Sequence, residues 1–243
     1  MVFNKPFSFC GVDYAGTLLA KTQDGVCKVW LALFVCGTTS AIHLKVVNSL
    51  SMHQSILAFQ RFVARRGKPY QIVSDNAANF KAAATVLDVR WKFNPPASPW
   101  FGGFYERLVM AVKTPLKKVL CRAMLTLVEL TTLVILVEAV VNSRPLMHVG
   151  DFTDALPITP AKLLGEVWKD GNDEKQLLSS QSHLYERLQY AESVMKHLMQ
   201  CWEPEYVAQL RIYQLGSNRA ITEGELVFVR NDKKKINFGS LGW

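Results

Sequence analysis

FSFCGVDYAGTLLAKTQDGVCKVWLALFVCGTTSAIHLKVV, residues 7–47, reads as three strands in succession. Val, Ile, Phe and Trp crowd into 7–14, 26–36 and 41–47, the composition of a pleated, buried surface. Thr22-Gln23-Asp24-Gly25 separates the first two runs, and Gly37-Thr38-Thr39-Ser40 the next two. Turn residues in such short connections predict an antiparallel meander. Ser51 then fits an N-cap, Ile56, Phe59, Phe62 and Val63 recur at helical spacing, and Gly67 ends a helix over 51–66. A fourth strand over 70–74 ends at Asp75, a short helix covers 80–87, and 89–93 is a fifth strand. NPPASPWFGG (94–103) has three prolines and two glycines in ten residues and is no regular element. Helices over 104–121, 126–142 and 182–202 come next, and 225–229 alternates like one strand of a small terminal module. The order β-β-β-α-β-α-β, then helices, predicts an α/β fold: a five-stranded mixed sheet flanked by helices.

The 243 residues, 49% hydrophobic and 20% charged, exclude a wholly disordered chain and are enough for a large core without staples. Five cysteines, Cys10, Cys27, Cys36, Cys121 and Cys201, contain no CxxC pair and read as thiols in a reducing compartment. The five histidines show no zinc spacing with any cysteine pair. The most apolar window, 125–141, holds Glu129 and Glu138 and is too short to span a bilayer, so a buried helix and no membrane partner are expected. The formal charge of +8 is uneven. Residues 1–149 carry 17 Lys and Arg against 7 Asp and Glu, whereas 150–192 carry 4 against 8. A basic globular block of this kind points to an anionic partner, nucleic acid first.

Three carboxylates stand where chemistry is placed in such a fold. Asp13 lies within GVDYAG near the end of the first strand, Asp75 opens DNAANF after the fourth, and Glu106 lies in the first turn of the helix after the Pro-Gly loop. Taken singly, Asp13 also fits a turn aspartate, Asp75 an Asx-turn or N-cap, and Glu106 an acid complementing a helix dipole. Brought together they repel one another, and divalent cations resolve the repulsion while building a phosphoryl-transfer site. Lys113 and Lys117 lie seven and eleven residues after Glu106, within about 20° of one helix face, where they suit DNA phosphates or plain solvation. Asn76 and Asn79 suit orientation of the Asp75 loop or contact with DNA. Trp100 suits base stacking or ordinary packing. Arg61, Arg65, Arg66 and Lys68 read as a solvated helix end.

GVDYAG, LFVCGTTSAIHLKVV, IVSDNAANF, FNPPASPWFGGFYERLV and NSRPL together resemble the integrase region of BEL/Pao-type LTR retrotransposon polyproteins. The resemblance runs through most of 7–165, and CWEPEY and GELVFVRND resemble the segment C-terminal to the integrase core in that family. It implies a ribonuclease H-like catalytic core of retroviral integrase type over 1–165, a linker over 166–181, and a helix plus partial β module over 182–243. It also implies an acidic catalytic triad, Asp13, Asp75 and Glu106, holding two Mg²⁺ ions, with Mn²⁺ able to substitute. Asp13 bridges both ions in this scheme, Asp75 holds one and Glu106 the other. The implied activity is metal-dependent phosphodiester hydrolysis followed by strand transfer of element DNA into target DNA. DNA-binding roles fall on Asn76, Asn79, Trp100, Lys113 and Lys117, the working state is a homo-oligomer, and the site of action is the nucleus.

Departures from the family pattern define the alternative. The chain begins almost at the first strand, without the zinc-binding domain such integrases carry upstream, and it stops before a small barrel closes. The interval between Asp75 and Glu106 is short for the family, Met110 occupies a position often basic, and Pro115 inside a helix costs about 3 kcal/mol unless the helix already bends. These features fit a truncated copy, and the second expectation is a catalytically inactive remnant or co-opted DNA-binding protein.

Overall fold

The computed structural model describes residues 5–95, 103–120, 123–146, 157–165 and 182–214. Strands β1 (Phe9–Thr22), β2 (Gly25–Cys36) and β3 (Ile42–Val47) form the expected meander. Helix α1 (Met52–Arg66) leads to β4 (Gln71–Ser74), α2 (Ala78–Val86) leads to β5 (Arg90–Phe93), and β4 and β5 run parallel to β1 in the order β3-β2-β1-β4-β5. Helices α3 (Gly103–Leu120), α4 (Leu127–Asn142), α5 (Pro160–Leu163) and α6 (Ser182–Gln214) complete the described elements. These five strands make the expected mixed α/β sheet flanked by helices.

Strand β2 shows why the layers form. Val29, Leu31, Leu33 and Val35 enter one core with α3, α4 and α6, while Ala32, Phe34 and Cys36 enter a second core with α1 and α2. Strict alternation thus buries both faces of a central strand. On the α1 side Phe34 stacks on Phe62 at 4.3 Å between centroids. On the other side Val194, Leu198, Trp202 and Tyr206, four residues apart, form a buried α6 stripe.

Local signals hold at several ends. The Ser51 side chain accepts a hydrogen bond from the Gln54 N–H, and Gly67 closes α1 at φ 86°. Thr126 and Glu129 form a reciprocal capping box at the start of α4, which gives one acid of the apolar window its place. Cys10, Cys27, Cys36 and Cys201 are free thiols; Cys121 lies outside the described residues. No helix among the described residues is long and apolar enough to cross a membrane.

Three features differ from expectation. Strand β1 runs on to Thr22 rather than stopping near residue 14, because a register shift between Ala15 and Leu18 breaks the two-residue period. A two-residue strand, β6 (Leu125–Thr126), pairs with the far end of β1. Helix α6 continues through Pro204 to Gln214, since packing outlasts the proline: Tyr206 donates its hydroxyl to the Pro145 carbonyl at 2.7 Å. The strand expected over 225–229 lies outside the described residues.

At the β1 irregularity Gly16 has φ +132°, and an added Cβ would meet Trp30 Cα and the Val29 oxygen at 3.2 Å. Gly16→Ala therefore loses about 1–3 kcal/mol of unfolding free energy. Urea denaturation checks this, and an unchanged midpoint refutes it.

The outer edge of the sheet is sealed by α4. Asn142 accepts from the Ile42 N–H at 2.8 Å and donates to the Ile42 carbonyl at 2.9 Å. Glu138 accepts from the Leu44 N–H at 2.7 Å. Its other oxygen takes Arg66 at 2.7 Å and lies 2.9 Å from Nδ1 of buried His43. Edge backbone groups that would template aggregation are thus satisfied by side chains. Arg66, expected at a solvated helix end, is drawn into this cluster. Nearby, Arg144 of the NSRPL motif is buried and donates to the Val141 and Ser40 carbonyls, and burial pushes its guanidinium down to about 10.

Candidate active site

The parallel register between β1 and β4 positions the first two carboxylates. Cys10 pairs with Ile72 and Gly11 with Val73. Asp13 lies two residues further along β1, and Asp75 lies two residues beyond Val73, one position past the end of β4. The two-residue period gives Asp13 the sheet face of Ala15, towards α3.

Asp13 is half-buried within β1. Its Oδ1 accepts the Tyr14 N–H at 2.6 Å, and its Oδ2 receives the Lys113 ammonium at 2.6 Å. Strand alternation turns Tyr14 to the opposite face, where its ring stacks on Phe80 at 5.0 Å and its hydroxyl bonds Ser55. Burial pushes the Tyr14 phenol up. This packing holds β1 on the α1 and α2 side while Asp13 projects towards α3.

Asp75 is exposed at the first position past β4. Its Oδ1 accepts the Ala77 N–H at 3.1 Å, an Asx-turn that starts the approach to α2. The turn is braced from β5: Trp91 Nε1 donates to Ser74 Oγ at 2.9 Å, the Asn94 N–H donates to the Ser74 carbonyl at 2.8 Å, and the Asn76 amide donates to the Asn94 carbonyl. Asn76 thus ties the residue after Asp75 to the end of β5. Asn79 lies in the first turn of α2, and its Nδ2 is buried without a hydrogen-bond partner among the described residues.

Glu106 falls in the first turn of α3, seven residues before Lys113; its side chain and all of Trp100 lie outside the described part of the chain. Lys117 is exposed one turn beyond Lys113. No group of three or more His, Cys, Asp or Glu suited to a metal ion occurs among the described residues, where Glu106 supplies no side chain. The donors present nevertheless fit a hard divalent cation. They are carboxylate oxygens of Asp13 within β1 and of Asp75 just past β4, and the first already attracts a cationic group. The Lys113 ion pair is the feature sequence reading missed: helical spacing gives the face of α3 but not its distance from β1.

No protein-family model matches this chain, and no curated protein matches it. Among solved structures it is similar to the simian T-cell lymphotropic virus intasome in complex with PP2A regulatory subunit B56 gamma. The identity there is 18% over 74% of this chain, with a TM-score of 0.48. This chain spans 62% of the length of that one. It is also similar to the HTLV-2 integrase catalytic core domain in complex with magnesium. The trimeric form gives 17% identity over 65% of this chain and 97% of that one, with a TM-score of 0.42. The dimeric form gives 18%, 66%, 97% and 0.45. The likeness is one of overall fold.

Proposed function

We propose that this protein is an integrase catalytic core of BEL/Pao retrotransposon type, which cuts and joins DNA phosphodiester bonds with Mg²⁺. The observation that carries the reading is the parallel pairing of β1 with β4, which brings the Asp75 turn beside the strand that carries Asp13, with Asp13 facing α3. The five ordered motifs support it, as does the basic balance of residues 1–149.

Asp13, Asp75 and Glu106 would hold the metal. Bound there, two Mg²⁺ ions would supply activation of a water or 3′-hydroxyl nucleophile and stabilisation of the leaving oxygen. The chain's residues prepare this chemistry. Tyr14 packing and the Tyr14 N–H hold the Asp13 carboxylate, the Ser74–Trp91–Asn94 braces hold the Asp75 turn, and exposed Lys117 offers charge to a phosphate. DNA ends and target DNA are the substrates in this reading, and the nucleus is where they meet. Assembly into a homo-oligomer is supported by the apolar outer positions of α4, where Val128, Ile135 and Leu136 are exposed.

The experiment is cleavage of a branched DNA integration intermediate in Mg²⁺ or Mn²⁺ by wild type and Asp75→Asn. Asparagine keeps an oxygen for the Ala77 N–H, so the turn survives while the charge is lost. Metal-dependent cleavage confined to wild type is expected. DNA binding without cleavage, indifferent to Asp75→Asn, establishes the inactive remnant or co-opted DNA-binding protein instead.

A further inference from the structure

We propose that Lys113 is the resident counter-ion of Asp13, displaced when a divalent cation binds and thereby released to grip a DNA phosphate. The proposal rests on the metal-dependent reading above and adds a coupling between metal and DNA binding.

The geometry supplies each part. Asp13 Oδ1 is engaged by the Tyr14 N–H, so Oδ2 is the oxygen on which Lys113 sits, at 2.6 Å. The two side chains are only 23% and 28% exposed, and the partly buried carboxylate is neutralised by the ammonium. A divalent cation with a tight oxygen shell needs that same oxygen. The ammonium and a dication on one oxygen repel, so one leaves. Lysine leaves readily because its charge rides on a flexible four-carbon stem. Once released, Lys113 lies one helical turn from exposed Lys117, and the two ammonium groups present a paired phosphate site on α3. Linkage makes the effect reciprocal: bound DNA that holds Lys113 raises metal affinity at Asp13.

The test is calorimetric titration of the whole chain with Mn²⁺ at fixed pH and ionic strength, using wild type, Lys113→Met, Lys113→Gln, Lys113→Arg and Asp13→Asn. Thermal melts in EDTA confirm that each is folded, and the glutamine variant serves if methionine perturbs folding. Lys113→Met is expected to bind Mn²⁺ about 2- to 5-fold more tightly, the equivalent of about 0.4–1 kcal/mol of displaced ion pair. Lys113→Arg, which keeps the competing charge, is expected to bind no more tightly than wild type. A second readout is the salt dependence of DNA binding. With Ca²⁺ present the slope of log K against log salt is steeper in wild type than in Lys113→Met by about 0.9, one phosphate contact, and in EDTA the two slopes coincide. Unchanged Mn²⁺ affinity in Lys113→Met and Lys113→Gln, with binding abolished in Asp13→Asn, overturns the guard and leaves the metal site standing. No Mn²⁺ binding by any variant overturns both.

Discussion

Glu138→Ala is expected to lower the unfolding free energy by about 3–5 kcal/mol, the cost of stripping one partner from a buried charge cluster. Glu138 closes a ring of three elements: it sits on α4, caps the Leu44 N–H on the edge of β3, and holds Arg66 at the end of α1. The alanine variant leaves that N–H and a mostly buried guanidinium without this carboxylate. Glu138→Gln keeps an acceptor for Leu44 and is expected to lose less, about 1–3 kcal/mol. Guanidinium denaturation measures both, and a loss below about 1 kcal/mol for alanine contradicts the clamp.

The same cluster sets a pH dependence. Burial pushes His43 below its ordinary value, so the unfolded chain takes up the proton first and stability falls as pH drops below about 6.5. Burial alone would push Glu138 up, but the hydrogen bonds and charge of His43, the Leu44 N–H and Arg66 outweigh it and hold the carboxyl low. Its stabilisation is present above the ordinary glutamate value and is lost as pH falls through its lowered one. Both groups therefore make acid destabilising. Wild-type unfolding free energy, measured by urea denaturation, is expected to fall from about pH 6.5 downward and to go on falling below about pH 4.5.

Asp13→Asn is expected to reduce Mg²⁺-dependent cleavage of branched DNA by at least about 10²- to 10³-fold, the scale of losing one preorganised electrostatic partner. Its effect on stability is small by comparison. The Lys113 pair is about a quarter exposed on each side, and a pair so screened contributes about 0–1 kcal/mol. Activity and folding are thus separable: the variant melts within a few degrees of wild type while cleavage is lost. A variant retaining a tenth or more of wild-type cleavage in Mg²⁺ places the catalytic cation elsewhere.

The fold was legible wherever the signal was local. The 22–25 and 37–40 turns, the Ser51 cap and the Gly67 stop are short-range chemistry, and each lies where expected. The β1 extension was hidden because the irregularity after Ala15 resets which residues face inward. Proline at 204 likewise masked the second half of α6, whose Tyr206 anchor depends on a carbonyl 61 residues away. In the site, Asp13 and Asp75 were each ambiguous alone, and ordered motifs singled them out. What brings the Asp75 turn beside the strand of Asp13 is the β1–β4 pairing, a contact across 62 residues that no periodicity encodes. The Asx-turn open to Asp75 is present, and it coexists with an exposed carboxylate. Glu138 showed only as a charge too many for a membrane helix; its role needs the edge strand in view.

The most direct measurement is anomalous diffraction from crystals of the protein soaked in Mn²⁺. A peak within about 2.1 Å of carboxylate oxygens from both Asp13 and Asp75, with the Lys113 ammonium moved off Oδ2, is the predicted result. No peak between these two residues at saturating Mn²⁺, with Lys113 still paired to Asp13, contradicts the account.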